Sequence, residues 1–124
     1  MGRTFKKIEI EGKPAWVLFD TGSVRSYVRK EFASQIRWKT IPFEVGIGGF
    51  SFKIDEACAL NCKIDGLEFD IEAHPIDDLG EDEQKNRIDV IIGALAMEKW
   101  GLIPDPTTGK IDLTLLRKRA FIEF

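Results

Sequence analysis

Polar and apolar residues alternate over residues 4–10, the period of a strand with one buried face. Glu11-Gly12-Lys13-Pro14 has turn chemistry and residues 15–19 are a short apolar run, so the two segments predict a hairpin. Asp20-Thr21-Gly22-Ser23 is a loop by composition. Val28, Phe32, Ala33 and Ile36 fall at the spacing of one helical face and predict a helix over residues 28–36. Pro42 opens an extended segment over 43–62, interrupted by Gly46-Ile47-Gly48-Gly49, and Asp65-Gly66 is a two-residue hairpin turn before the alternating stretch 67–73. Residues 75–87 are acidic and polar with no apolar period and read as a surface loop. Residues 89–92 predict a short buried strand that stops at Gly93, and 94–100 a short helix closed by Gly101. Two further segments, 102–105 and 110–115, flank a Pro-Thr-Thr-Gly turn, and 121–124 predict a last strand. The pattern is that of a mainly β domain with one or two short helices.

Length and charge narrow the class. All 124 residues fit one domain, since domains commonly run ~100–150 residues. With 18 basic and 21 acidic residues and a net charge of -3, the chain has no footprint for nucleic acid and no anchor for an anionic membrane. The densest positive cluster, Arg117-Lys118-Arg119, reads as a solvated turn. No window approaches the ~18 apolar residues of a membrane span, and no apolar run or cleavage site follows the polar first residues, so the expected location is cytoplasmic. Cys58 and Cys62 on an extended strand would stand roughly 13 Å apart, beyond the ~7 Å limit for a disulfide. With the single His74 they offer at best a partial zinc site, so free thiols and no metal are expected.

Three segments carry candidate chemistry. In Val17-Leu18-Phe19-Asp20-Thr21-Gly22-Ser23 a carboxylate follows three large apolar residues, at the end of a buried strand where ionisation is costly. Gly22 allows a close backbone approach, and the Thr21 and Ser23 hydroxyls can bond backbone or carboxylate. Val45-Gly46-Ile47-Gly48-Gly49-Phe50 sits between two extended arms; glycines there weaken a strand and make a tip with bare amides. It lacks the Gly-Lys-Ser/Thr ending of a phosphate loop. Asp89-Val90-Ile91-Ile92-Gly93, taken alone, is a core strand and a tight turn. Each segment also has an ordinary reading, as an Asx-type turn, a glycine-rich hairpin and a core strand.

The three in this order resemble the retropepsins, the dimeric aspartic proteases of retroviruses and their cellular relatives. Residues 17–23 resemble the family's catalytic loop, 43–54 its flap, and 90–93 the segment that passes beneath the catalytic loop. The resemblance implies a closed β-barrel monomer acting as a symmetric homodimer, with Asp20 the catalytic carboxylate and Thr21 interlocking with the partner subunit. It implies that Gly22 bonds the substrate backbone beside Ser23, that Gly46, Ile47 and Gly48 close over the substrate, and that Leu18, Ile47 and Ile91 line apolar subsites. Two positions depart from the viral pattern. Val24-Arg25 stands where many members carry acidic residues, and Ala94 where many carry an arginine that pairs with such an acid and supports the dimer. Residues 101–111 look more like the bacterial and cellular branch.

A chain with one Asp-Thr-Gly and too short for a two-lobed enzyme needs a twin. Two facing carboxylates share one proton; the ionised one activates water and the protonated one donates to the peptide carbonyl. The expected partners are a peptide or protein substrate and a second copy, with no cofactor. The alternatives are a catalytically silent dimeric module that binds peptides or scaffolds a partner, and a monomeric β domain with no active site. The resemblance also implies that Arg25 and Asp89 lie near the pocket rims.

Overall fold

The computed structural model describes residues 3–118; the strand expected over 121–124 lies outside them. Strands β1 (Arg3–Ile10) and β2 (Lys13–Asp20) form the expected hairpin and are followed by β3 (Ser26–Arg29). β4 (Arg37–Ile47) and β5 (Phe50–Ile64) make a long hairpin that continues into β6 (Leu67–Ile76). β7 (Val90–Ile92) leads into helix α1 (Ala94–Trp100), a small hairpin of β8 (Ile103–Asp105) and β9 (Lys110–Asp112), and helix α2 (Thr114–Lys118). The main sheet has the order β1-β2-β7-β3-β6-β5-β4. β1 also pairs with β5 through Glu9 with Lys63 and Ile10 with Cys62, which joins six of the strands into a ring and leaves β4 as a free edge.

The central strands are buried on both faces, which is why they read as unbroken apolar runs. Val17 and Phe19 of β2, Val28 of β3, and Val90 and Ile92 of β7 point into one cluster with Ile10, Leu60 and Ile64, closed off by Met97 of α1 and Leu116 of α2. Their neighbours of opposite parity, Leu18, Tyr27 and Ile91, join a second cluster with Ile54, Ile76, Leu79 and Ile88. Period-two geometry thus divides each three-residue run between two cores.

Three expectations change, and the acidic loop, a loop as expected, is anchored. Residues 28–36 are no helix: Ser26–Arg29 is a strand held in parallel by β6 and in antiparallel by β7, followed by a 3-10 turn over Lys30–Phe32. Tertiary pairing overrides the helical spacing, and Ile36, meant for the buried face, is exposed. The extended segment begins at Arg37 instead of Phe43, with a register shift between Lys39 and Phe43 around Pro42, which has no N–H to give to the ladder. The acidic loop is anchored by buried Leu79 and pinned by Asp82, whose carboxylate accepts from the amides of Gln84 and Asn86 and from Trp16 Nε1 at 2.9 Å. Residues after Asp112 turn into α2 instead of continuing as a strand. There Asp112 Oδ1 accepts from Thr114 N at 2.9 Å and Thr114 Oγ1 at 2.7 Å, directly ahead of the helix.

Candidate active site

β2 and β7 run parallel, with Leu18 beside Ile91 and Phe19 beside Ile92. One residue further on come Asp20 on one strand and Gly93 on the other. The chain after Asp20 folds back on its carboxylate: Gly22 N donates to Oδ1 at 2.9 Å, Ser23 Oγ to Oδ2 at 3.3 Å, and Ser23 N to the Asp20 carbonyl at 3.1 Å. Both carboxylate oxygens are oriented by these donors while the residue stays half-exposed. A Cβ at Gly22 would stand 3.2 Å from Asp20 Oδ1, closer than ordinary contact. Of the residues expected to be catalytic, Asp20 and Gly22 therefore form one bonded unit, joined by Ser23, expected to bind substrate.

Gly93 supports that unit from below. Its amide donates to Ser26 Oγ at 3.0 Å, and the next two amides reach the loop carbonyls, Ala94 N to Ser23 O at 2.6 Å and Leu95 N to Val24 O at 3.1 Å. The first amides of α1, which lack partners within a helix, are thus satisfied by the loop. The approach is so close that a Cβ on Gly93 would collide with the Arg25 carbonyl oxygen and lie 2.7 Å from that of Ser23. Ser26 was missed by sequence reasoning, since a small polar residue in a strand carries no signal of its own.

The segment expected to act as a flap is the β4–β5 hairpin. Ile47 pairs with Phe50 across Gly48 and Gly49, whose φ values of 57° and 83° are those of a two-residue type I′ turn. Gly46 pairs with Ser51 and belongs to the ladder, so the bare tip is narrower than the glycine run suggests. Ile47, with Phe43, Val45 and Phe52, packs against the cluster that holds Leu18 and Ile91, both of them buried. Gly46 and Gly48 stand exposed beside them. The β4 arm of this hairpin meets the residues after Asp20 through Arg25, whose guanidinium carbon is 4.5 Å from the Phe43 ring centroid. Phe43 in turn meets buried His74 edge-on at 5.2 Å, and His74 Nδ1 lies 2.9 Å from the Glu56 carbonyl oxygen. These contacts link the loop after Asp20, the β4–β5 hairpin and β6, and sequence reasoning considered His74 only as a metal ligand.

Thr21 faces elsewhere. It lines a groove of about 540 Å³ with α1, residues 101–104 and Leu115. Asp89, expected at a pocket rim, is committed to the scaffold: Oδ1 accepts from Arg29 Nη2 at 2.6 Å and Oδ2 from Trp16 N at 2.8 Å. Cys58 and Cys62 are free and buried on β5, and burial pushes both thiols up from their ordinary range. Burial also raises Tyr27, against the opposing pull of the Arg25 charge. Among the described residues no three His, Cys, Asp or Glu side chains gather as a metal-binding group, and no helix is long and apolar enough to cross a membrane.

No protein-family model and no curated sequence matches the chain. Solved structures do match. The EIAV protease, in complex with the inhibitor HBY-793, has a TM-score of 0.51 at 19% identity, covering 80% of this chain and 88% of the protease. A Legionella pneumophila protein of unknown function (DUF785) has a TM-score of 0.53 at 16% identity, covering 86% of this chain and 95% of its own. At such identities the likeness is one of fold. The chain has a mainly β, retropepsin-like fold with two short helices among the described residues.

Proposed function

We propose that the chain is one half of a homodimeric aspartic endopeptidase, with one Asp20 from each subunit. The observation that carries this reading is the Asp20 carboxylate itself, held at the end of a buried strand by Gly22 N and Ser23 Oγ in a retropepsin-like fold. A binding module has no need of a carboxylate held in this way at the end of a buried strand.

One carboxylate cannot serve as base and acid in the same step. Two in contact hold one proton between them and titrate as a pair. The ionised member takes a proton from a water molecule, which attacks the peptide carbonyl; the protonated member donates to the carbonyl oxygen and later to the leaving nitrogen. Gly22 bonds the substrate backbone, and the flap with Gly46, Ile47 and Gly48 closes over it, excluding water. Leu18, Ile47 and Ile91 favour a substrate with bulky apolar side chains around the cleaved bond.

Asp20→Asn keeps the size and the hydrogen bonds from Gly22 N but cannot complete the shared-proton pair. Cleavage of an apolar peptide at pH 4–6 is expected to fall by at least about a thousandfold, and a statine-type inhibitor to block the wild type. Peptidase activity retained in the Asn variant would overturn the assignment. Activity is expected in mildly acidic solution and to fade as the pair loses its last proton; a flat profile to about pH 9 contradicts a shared proton.

A further inference from the structure

We infer that the cavity between β6 and α1 binds a small zwitterion, a free α-amino acid with an apolar side chain. The cavity is separate from the Asp20 carboxylate, and the inference does not depend on the protease reading. It measures about 240 Å³, the space of roughly eight water molecules at ~30 Å³ each, which suits a ligand the size of a single residue. Asp70, Glu72 and His74 reach it from one face of β6, as alternation along a strand requires. Arg25 and Ser26 reach it from the start of β3.

Two buried polar side chains line this space with bonding capacity unspent. Ser26, 3% exposed, accepts from Gly93 N, but its own hydroxyl hydrogen has no acceptor among the described residues. His74, 4% exposed, sets Nδ1 against the Glu56 carbonyl oxygen. A carbonyl only accepts, so Nδ1 carries the hydrogen and Nε2 of the neutral ring is left as an acceptor. Buried groups unmatched in this way cost stability, and a ligand that pairs with them recovers it.

The charges decide the class of ligand. Lys99 and Asp70 lie 3.9 Å apart and offset one another. Arg25 and Glu72 have no such partner: neither side chain makes a hydrogen bond or ion pair among the described residues, and Arg25 rests over Phe43. One unspent cation and one unspent anion on the same cavity suit a molecule that carries both charges. A plain anion such as phosphate would have to face Glu72. Arg25 takes the carboxylate by a two-point contact, together with the Ser26 hydroxyl, while Glu72 and His74 Nε2 take the ammonium. Leu95, Ala96 and Trp100 of α1 supply the wall for an apolar side chain. The occupant also lies against the supports of the loop after Asp20, since Ser26 holds Gly93 N and Leu95 N donates to the Val24 carbonyl.

Titration of the full, isotope-labelled chain with L-leucine near neutral pH, followed by amide NMR, tests the site. Saturable shifts are expected at the Gly93 amide and the Trp100 indole, with a Kd on the order of 1 mM or tighter. N-acetyl-leucine lacks the ammonium and leucinamide the carboxylate, so each should bind at least about tenfold more weakly. Arg25→Gln and Glu72→Gln, both at exposed positions, should keep the fold by circular dichroism and weaken L-leucine by a similar factor. Glu44→Gln, on β4, should bind as the parent does. The proposal is overturned by any of four results: no saturation; phosphate or either blocked form binding as tightly as L-leucine; shifts confined to the Leu18 and Ile91 amides; or folded Arg25→Gln and Glu72→Gln variants that bind like the parent.

Discussion

Gly93 shows how much one residue can carry. Its missing side chain lets the carbonyls of Ser23 and Arg25 lie against the start of α1, while its own amide is bonded to Ser26. Neither carbonyl can retreat easily, because both belong to the loop that the Asp20 carboxylate organises. Gly93→Ala is therefore expected to cost at least ~2 kcal/mol through overpacking, read as a lower urea midpoint, and to disturb the loop even where the fold survives. An unchanged midpoint would mean that the loop is not seated on Gly93. Asp89 is a second such residue, and it could not be placed correctly from sequence. Only the family resemblance put it near a pocket rim. Its partners, Arg29 and the Trp16 amide, lie 60 and 73 positions away in the chain, beyond any local pattern.

At the scale of elements, short aspartate motifs hold the turns. Asp105 accepts from Thr107 Oγ1 and N, and Asp112 from Thr114 Oγ1 and N, the same Asp-X-Thr device used twice around the β8–β9 hairpin. The threonine hydroxyl is the larger influence in each case, followed by the threonine amide, and both carboxyls are held below the usual range. Asp82 is also lowered: its partial desolvation pulls upward, but donors from Asn86, Trp16 and Gln84 prevail. The sign follows from linkage. A carboxyl with a depressed folded pKa stabilises the fold above its unfolded value, about 3.9, and loses that contribution as pH falls through the folded value. Urea midpoints are expected to be level near neutrality and to drop in strong acid, with a shallower drop in Asp105→Asn/Asp112→Asn. An equal acid slope in the double variant would remove these motifs from the account. The Asp-X-Thr spacing was present in the sequence, but without the α2 packing that Leu116 supplies it did not distinguish a helix start from a strand.

For the molecule as a whole, the ring of strands depends on pairings between distant segments. Arg29 and Asp89 fasten β3 to the entrance of β7, with side chains only 12% and 13% exposed. Removing one member of a nearly buried pair strands the other, so Asp89→Ala should cost about 3 kcal/mol, towards the lower end because Arg29 keeps Glu31. Thermal unfolding measures this directly; a loss near zero would show that the pair adds nothing to the closure of the ring.

The amino-acid order by itself determined what short-range physics controls. The β1–β2 hairpin, the Asp65-Gly66 turn, α1 with its left-handed Gly101, and the grouping of Asp20, Gly22 and Ser23 all follow from alternation, turn residues and neighbours within four positions. Only the tertiary structure decided that residues 26–29 are a strand, that Ser26 supports Gly93, and that Asp89 pairs with Arg29. Those outcomes depend on ladders and contacts between segments far apart in the chain. A helical spacing of four apolar residues loses to two flanking strands that can satisfy every backbone donor and acceptor between them.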